Sequence, residues 1–124
     1  MIGLLLITHG ELGAELIKTL EHIMGLQKNM TSISIFPEDS IESRKIQALK
    51  IIKKIDQGNG VILLTDVFGG TPSNIAISIM KKNQVELITG VNLPMLIKLC
   101  SIRHHYNLEK TLKSAASAGK KHIH

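Results

Sequence analysis

The sequence contains very few aromatic residues. Its 124 residues include two phenylalanines, one tyrosine and no tryptophan, although 44% are hydrophobic. The core must therefore be built from Ile, Leu, Val, Ala and Met, as in many layered α/β domains. A platform for single-stranded nucleic acid needs several aromatic rings, and the lysines behind the net charge of +5 are scattered along the chain. We therefore expect solvated helix faces and no nucleic-acid partner.

Cysteine and long apolar runs are also scarce. The single Cys100 cannot form an intrachain disulfide, and its apolar neighbours Leu99 and Ile102 predict a buried thiol in a helix. The N-terminal apolar run at residues 2–7 is too short to cross a bilayer, and it lacks the basic flank and cleavage pattern of a signal peptide. These features predict a cytoplasmic protein.

The glycine patterns of nucleotide-binding loops are missing. Neither Gly-x-x-x-x-Gly-Lys-Ser/Thr nor Gly-x-Gly-x-x-Gly occurs, so we expect no nucleotide donor and no cofactor. The histidine pairs His104-His105 and His122-x-His124 have no carboxylate or cysteine beside them in a recognisable ligand spacing. No metal site is predicted.

The chain does contain a regular alternation of strand and helix patterns. Apolar periodicity predicts strands at residues 2–7, 31–36, 61–66 and 85–89, with a helix after each one and a last helix at 108–118. This order predicts a single α/β domain over residues 1–124, with an open, mainly parallel four-stranded sheet and helices on both faces. The two fully apolar strands should be central, and the alternating pattern at 31–36 predicts a strand nearer an edge.

Local signals predict where the helices begin and end. The predicted starts are Asp39 with Glu42 as a capping box, Thr71 as a cap before Pro72, and Asn92 as a cap before Pro94. Gly119 predicts the end of the last helix. The buried stripe of the second helix is predicted to comprise Ile41, Ile46, Leu49, Ile52 and Ile55.

Two polar segments follow the two most apolar strands. Thr8-His9-Gly10 follows the first strand, and Asp66 opens the segment that leads through Gly69-Gly70-Thr71-Pro72 into a helix. Ligands of parallel α/β sheets bind beyond the carboxyl ends of the strands. If the two strands are neighbours, Asp66 can hydrogen-bond one imidazole nitrogen of His9 and leave the other nucleophilic.

The glycine turn after Asp66 predicts a phosphate cradle. Gly69 and Gly70 allow close approach of the backbone, and N–H groups at the start of the helix, with the Thr71 hydroxyl and Ser73, can bind phosphate oxygens. Each of these candidate site residues could instead have a purely structural role. A histidine can follow a strand without function, and an aspartate or a Gly-Gly-Thr-Pro turn can simply start a helix.

Three ordered blocks of the sequence resemble the IIA domain of the mannose-type sugar phosphotransferase system, which is also called the mannose/fructose/sorbose family. The blocks are residues 8–10, 66–74 and 90–95. The resemblance implies that His9 accepts phosphate from phosphorylated HPr and passes it to a IIB component, with Asp66 bonded to the histidine and Thr71 as the hydroxyl residue of the turn. It places Thr8, Gly10, Phe68 and Asn92 on the rim or the partner surface.

Many members of this family are fused to a IIB domain, whereas this chain stops at His124, so we expect a free-standing IIA unit. The resemblance also implies a homodimer that meets the membrane only indirectly, through the permease components. Dimers of this family can exchange a short antiparallel C-terminal edge strand, whose equivalent here is residues 120–124. The sugar cannot be read from a IIA sequence, because specificity lies with the membrane components.

Three alternatives remain open. The chain could be a stand-alone regulatory phosphohistidine module that senses the state of the phosphotransferase system without transporting sugar. It could be a receiver-like domain phosphorylated on Asp66. The phosphotransfer subunit of dihydroxyacetone kinase shares the expected fold, but its turn after the aspartate typically reads Leu-Gly-Ser-Ala, unlike the Phe-Gly-Gly-Thr-Pro found here.

Overall fold

Four strands and five helices make up the chain in the computed structural model, which describes all residues from Met1 to His124. The elements are β1 (Gly3–His9), α1 (Leu12–Met24), β2 (Met30–Ile35), α2 (Ile41–Ile55), β3 (Val61–Thr65), α3 (Gly70–Ile79), β4 (Val85–Thr89), α4 (Leu93–Ile102) and α5 (Leu108–Lys121). No helix among them combines the length and the apolar character needed to cross a bilayer.

The strands form one parallel sheet in the order β2-β1-β3-β4. The two fully apolar strands, β1 and β3, are central and adjacent, and β2 lies at an edge, as the sequence predicts. Each strand after the first is reached through a helix, because parallel neighbours need a crossover connection. The predicted α/β architecture is confirmed.

The sheet separates two apolar layers. Side chains alternate along β1, so Leu4 and Leu6 face α1, α4 and α5, whereas Leu5 and Ile7 face α2 and α3. All four side chains are fully buried. Each contributes roughly 1.5–3 kcal/mol relative to exposure, so the central strands anchor both layers.

The second helix differs from its sequence prediction in its cap and its buried face. Ser40, not Asp39, is the N-cap, and its hydroxyl accepts the Ser43 N–H. The buried residues of this helix are Ala48, Ile52 and Ile55. A helix turns about 100° per residue, which carries Ile46 and Leu49 away from this face, and both are exposed.

Ile41 is also exposed, although it shares the helical phase of the buried face. It lies in the first turn of α2, where it lines the cleft beside His9 rather than the core. The predicted buried stripe was therefore wrong at Ile41, Ile46 and Leu49.

Helices α3 and α5 also begin or end away from the predicted residues. Gly69 is the N-cap of α3, so Thr71 lies inside the first turn instead of capping it. Helix α5 continues through Gly119 to Lys121, and a Cβ at Gly119 would lie 2.9 Å from Met95 Cε. The glycine therefore permits close packing of α5 on α4 and does not end the helix.

The C-terminal residues do not form a fifth strand within the single chain. Lys120 and Lys121 belong to α5, and the last two residues have no regular structure. Exchange of an edge strand between two protomers stays a prediction.

Candidate functional site

His9 and Asp66 meet at the carboxyl edge of the sheet. His9 is the last residue of β1, Asp66 directly follows β3, and these strands are neighbours with Ile7 opposite Thr65. Oδ2 of Asp66 lies 2.9 Å from His9 Nδ1 and 3.1 Å from the backbone nitrogen of His9. The structure thus brings together the two side chains that the sequence singled out.

The carboxylate of Asp66 is held in its charged form. Burial acts to raise the pKa of Asp66, but hydrogen bonds from the His9 ring and the His9 backbone N–H outweigh it, so the pKa lies below the ordinary value of 3.8. Only 12% of the Asp66 side chain is exposed, against 54% for His9. An ionised carboxylate can only accept hydrogen bonds, so the proton of this contact resides on Nδ1.

Nε2 of His9 is the ring nitrogen left free to react. Once Nδ1 carries the proton, the neutral ring has its lone pair on Nε2. A Cβ at Gly70 would lie 3.3 Å from Nε2 and 3.2 Å from Cε1, and Gly70 has a φ of +80°. Glycine therefore keeps the approach to this nitrogen open and also adopts the backbone angle that the turn requires.

The first turn of α3 lies beside this ring. No side chain caps the helix at Gly69, so its leading N–H groups have no side-chain acceptor. A cleft of ≈ 310 Å³ contains both His9 and Thr71. Free N–H groups and the positive end of a helix dipole favour an anion, so this corner suits a phosphoryl group.

Two of the predicted site residues are buried away from the cleft. Thr8 is fully buried, and its hydroxyl accepts the Gly13 N–H at 2.8 Å, which ties β1 to the first turn of α1. Ser73 is also fully buried, and its hydroxyl donates to the Val67 carbonyl oxygen. The prediction of Thr8 as a rim residue and that of Ser73 as a phosphate ligand were therefore wrong.

The side chain of Asn92 caps α4 and links it to α5. Its Oδ1 accepts the Met95 N–H and caps α4, while its Nδ2 donates to the Gly119 carbonyl of α5, both at 3.0 Å. Both ends of the amide are thus engaged within the fold. The prediction of a helix cap is confirmed, and a place for the half-buried Asn92 on the rim stays a prediction.

Several apolar side chains in the segments that carry His9 and Asp66, or in the cleft beside His9, are exposed. Gly10 lines the cleft, and Phe68, in the turn after Asp66, is 82% exposed, so both are accessible and their place on a partner surface stays a prediction. Phe36 and Ile41 line the cleft with His9, and Leu12, Val67 and Phe68 lie within three residues of His9 or Asp66 along the chain; we call these five exposed residues the apolar rim. Several exposed apolar side chains around a polar centre are typical of a protein-binding surface.

Sequence reasoning missed the part of the cleft that follows β2. Ile35 pairs with His9 in the sheet, so Phe36 and its neighbours reach the same edge. Asp39 lies there too, and its carboxylate accepts from the Phe36 N–H at 2.9 Å and from Arg44 Nε at 3.0 Å. Ligand sites of parallel sheets lie beyond the carboxyl ends of the strands, and the same reasoning applied to the end of β2 would have identified this side of the cleft.

Most of the chain matches the model of one protein family. A family model described as EIIA-man, PTS system fructose IIA component, matches residues 3–116. The fructose-specific EIIA component of Bacillus subtilis (strain 168) is 30% identical over 115 residues, which are 92% of this chain and 79% of that protein.

A second relative is longer than this chain. The mannose-specific EIIAB component of Escherichia coli (strain K12) is 35% identical over 103 residues, which are 82% of this chain and 32% of that protein. The chain therefore spans about a third of the length of that relative.

A solved structure has the same fold. The mannose/sorbose-specific IIA subunit from Enterococcus faecalis superposes with a TM-score of 0.86 at 25% identity, covering 99% of this chain and 92% of that one. Taken with the family match, this shows that the chain belongs to the mannose-type EIIA family and is a phosphotransfer component of a sugar phosphotransferase system.

Proposed function

We propose that His9 is a phosphoryl carrier, which accepts the group on Nε2 from phosphorylated HPr and passes it to a IIB component. The observation behind this proposal is the 2.9 Å contact between His9 Nδ1 and Asp66 Oδ2. It fixes the tautomer in which Nε2 has the lone pair, and it provides a negative partner for the charge that develops on the ring during attack.

In the first step, Nε2 attacks the phosphorus of a phosphohistidine on HPr. The new N–P bond forms on His9 as the old N–P bond breaks, and its electron pair returns to the nitrogen of the donor. The Nδ1 proton stays on His9, bonded to Asp66. In the second step a nucleophilic side chain of the IIB component attacks the phosphorus on His9, and the N–P bond breaks with its electron pair returning to Nε2.

Gly69, Gly70 and Thr71 are the proposed phosphate ligands. The first-turn N–H groups of α3 and the Thr71 hydroxyl have the chemistry to bind phosphoryl oxygens beside Nε2. Hydrogen bonds in place before the reaction stabilise charge that is spread over those oxygens during transfer. On this proposal HPr and IIB need not provide all the hydrogen bonds to the phosphoryl oxygens, because this chain has an anion site of its own.

The apolar rim is the proposed docking surface for both protein partners. A group that leaves one histidine for another must transfer within a protein–protein contact, and apolar surface excludes water from such a contact. Phe68 is the most exposed side chain of this rim, at 82%. We further propose that the protein acts in the cytoplasm as a homodimer, for which sedimentation equilibrium is the direct test.

The experiment is sequential transfer. The protein is incubated with phosphorylated HPr, separated from it, and then mixed with a IIB component. Appearance of phosphate on the protein and then on IIB supports the carrier function. Phosphate that reaches His9 but no IIB partner would favour the regulatory module, and an acyl phosphate cleaved by hydroxylamine would favour a receiver-like Asp66.

A further inference from the structure

The two residues that flank Asp66 are bound to one buried hydroxyl group. Ser73 Oγ lies 2.5 Å from the Val67 carbonyl oxygen and 2.7 Å from Thr65 Oγ1. Thr65 precedes Asp66 and Val67 follows it. Both hydroxyl residues are fully buried, so water does not compete for these bonds.

The proton arrangement of this cluster follows from its geometry. Ser73 has one proton, and the Val67 carbonyl can only accept it. The Thr65 hydroxyl must then donate to Ser73 Oγ, which gives a directed chain from Thr65 through Ser73 to Val67. The Thr65 carbonyl is held as well, by the N–H groups of Gly90 and Val91 at 2.9 and 3.0 Å.

The turn that carries Asp66 has few other anchors. Val67 and Phe68 are 53% and 82% exposed, and Asp66 Oδ1 is buried but accepts no hydrogen bond from the protein. Apart from the two hydrogen bonds that Oδ2 accepts from His9, the direction of the carboxylate therefore depends on the residues on either side of Asp66. One serine of α3 accepts from the Thr65 hydroxyl before Asp66 and donates to the Val67 carbonyl after it.

We infer that Ser73 is a positioning residue, which holds the Thr65 side chain and the Val67 carbonyl on either side of Asp66 and thereby fixes the tautomer of His9. The predicted effect of Ser73 on transfer rests on the proposed function. Its predicted effect on the His9 tautomer does not. Ser73 does not touch the phosphoryl group, and it acts only through Asp66.

The test is ¹⁵N NMR of the His9 imidazole in the full chain, without any phosphoryl donor. In Ser73→Ala the fraction of Nδ1–H tautomer should fall, and phosphorylation by HPr should become roughly tenfold slower, as for other residues that orient a reactive group. Ser78 provides a matched control, because its hydroxyl donates to the Ile75 carbonyl on the same helix, away from Asp66. Ser78→Ala should change neither quantity.

Thr65 gives an independent pair of variants if Ser73→Ala does not fold. Thr65→Val keeps the shape and removes the donor, so the tautomer should shift, whereas Thr65→Ser keeps the hydroxyl and should restore the wild-type spectrum. A lower melting temperature with an unchanged tautomer in both Ser73→Ala and Thr65→Val would overturn the inference. The NMR measurement requires no phosphoryl transfer. The tautomer result can therefore still be interpreted if His9 proves not to be phosphorylated.

Discussion

One oxygen of Asp66 holds both the ring and the backbone of His9. Oδ2 accepts from Nδ1 at 2.9 Å and from the backbone N–H at 3.1 Å. The ring direction and the end of β1 are therefore fixed by the same atom. A change at Asp66 should disturb the chemistry of His9 more than it disturbs the fold.

Replacement of Asp66 by Asn should give a folded protein with slow transfer. The amide has nearly the same shape, but it carries no charge, and its NH₂ group can donate to Nδ1 and so favour the wrong tautomer. We expect the rate of phosphorylation by HPr to fall about 100-fold, measured by rapid quench.

Asp39→Asn is the matched control for that variant. Asp39 lines the cleft beside His9, but its carboxylate accepts from Phe36 N–H and Arg44 and makes no hydrogen bond with His9. Its rate should stay near that of the wild type. Equal rates for wild type and Asp66→Asn would contradict the orienting role of Asp66.

The stabilising effect of Asp66 should disappear in acid. The pKa of Asp66 is lower in the folded chain than its ordinary value of 3.8, so the stabilisation is complete above that value and is lost as the pH falls through the folded pKa. The difference in unfolding free energy between wild type and Asp66→Asn should therefore shrink below about pH 4. Urea unfolding at several pH values measures it, and a difference that grows on acidification would refute the assigned shift.

Gly70→Ala should block Nε2. The added methyl group would lie 3.3 Å from Nε2, and an alanine at a φ of +80° is strained by about 1 kcal/mol. Gly58→Ala is the matched control, because Gly58 has a φ of +96° and an added Cβ would meet no atom within 4 Å. Both variants should lose similar stability in thermal unfolding, but only Gly70→Ala should lose transfer activity. Equal activity in the two variants would argue against attack through Nε2.

Phe68→Ala should weaken docking without affecting the fold. Since the side chain is 82% exposed, its removal should change the melting temperature little, while the KM for phosphorylated HPr should rise several-fold. Leu26, which is 91% exposed in the loop between α1 and β2, is the control for loss of an exposed apolar group. An unchanged KM in Phe68→Ala, or an equal rise in Leu26→Ala, would remove Phe68 from the docking surface.

Sequence patterns predicted the sheet because burial on both faces leaves a clear signal. The unbroken apolar runs of β1 and β3 could only suit central strands, and their adjacency then brought His9 to Asp66. Helix α2 was harder, since Ile46 and Leu49 are apolar but exposed, and periodicity cannot separate an outward apolar face from a buried one.

Polar residues near the site were the least predictable. Ser73 and Thr71 lie two positions apart in α3, yet only Thr71 reaches the cleft, because the helix turns Ser73 inward to the Val67 carbonyl. That outcome depends on where α3 begins, and its start at Gly70 instead of beyond Thr71 could not be read from the Gly-Gly-Thr-Pro sequence.

The most direct test of the central claim is to map the phosphoryl group after incubation with phosphorylated HPr. Peptide mapping and ³¹P NMR should identify a phosphohistidine at His9 Nε2, stable in base and labile in acid, and His9→Ala should take up no phosphate. Phosphate retained by His9→Ala, or found on Asp66 as a hydroxylamine-sensitive acyl phosphate, would contradict it.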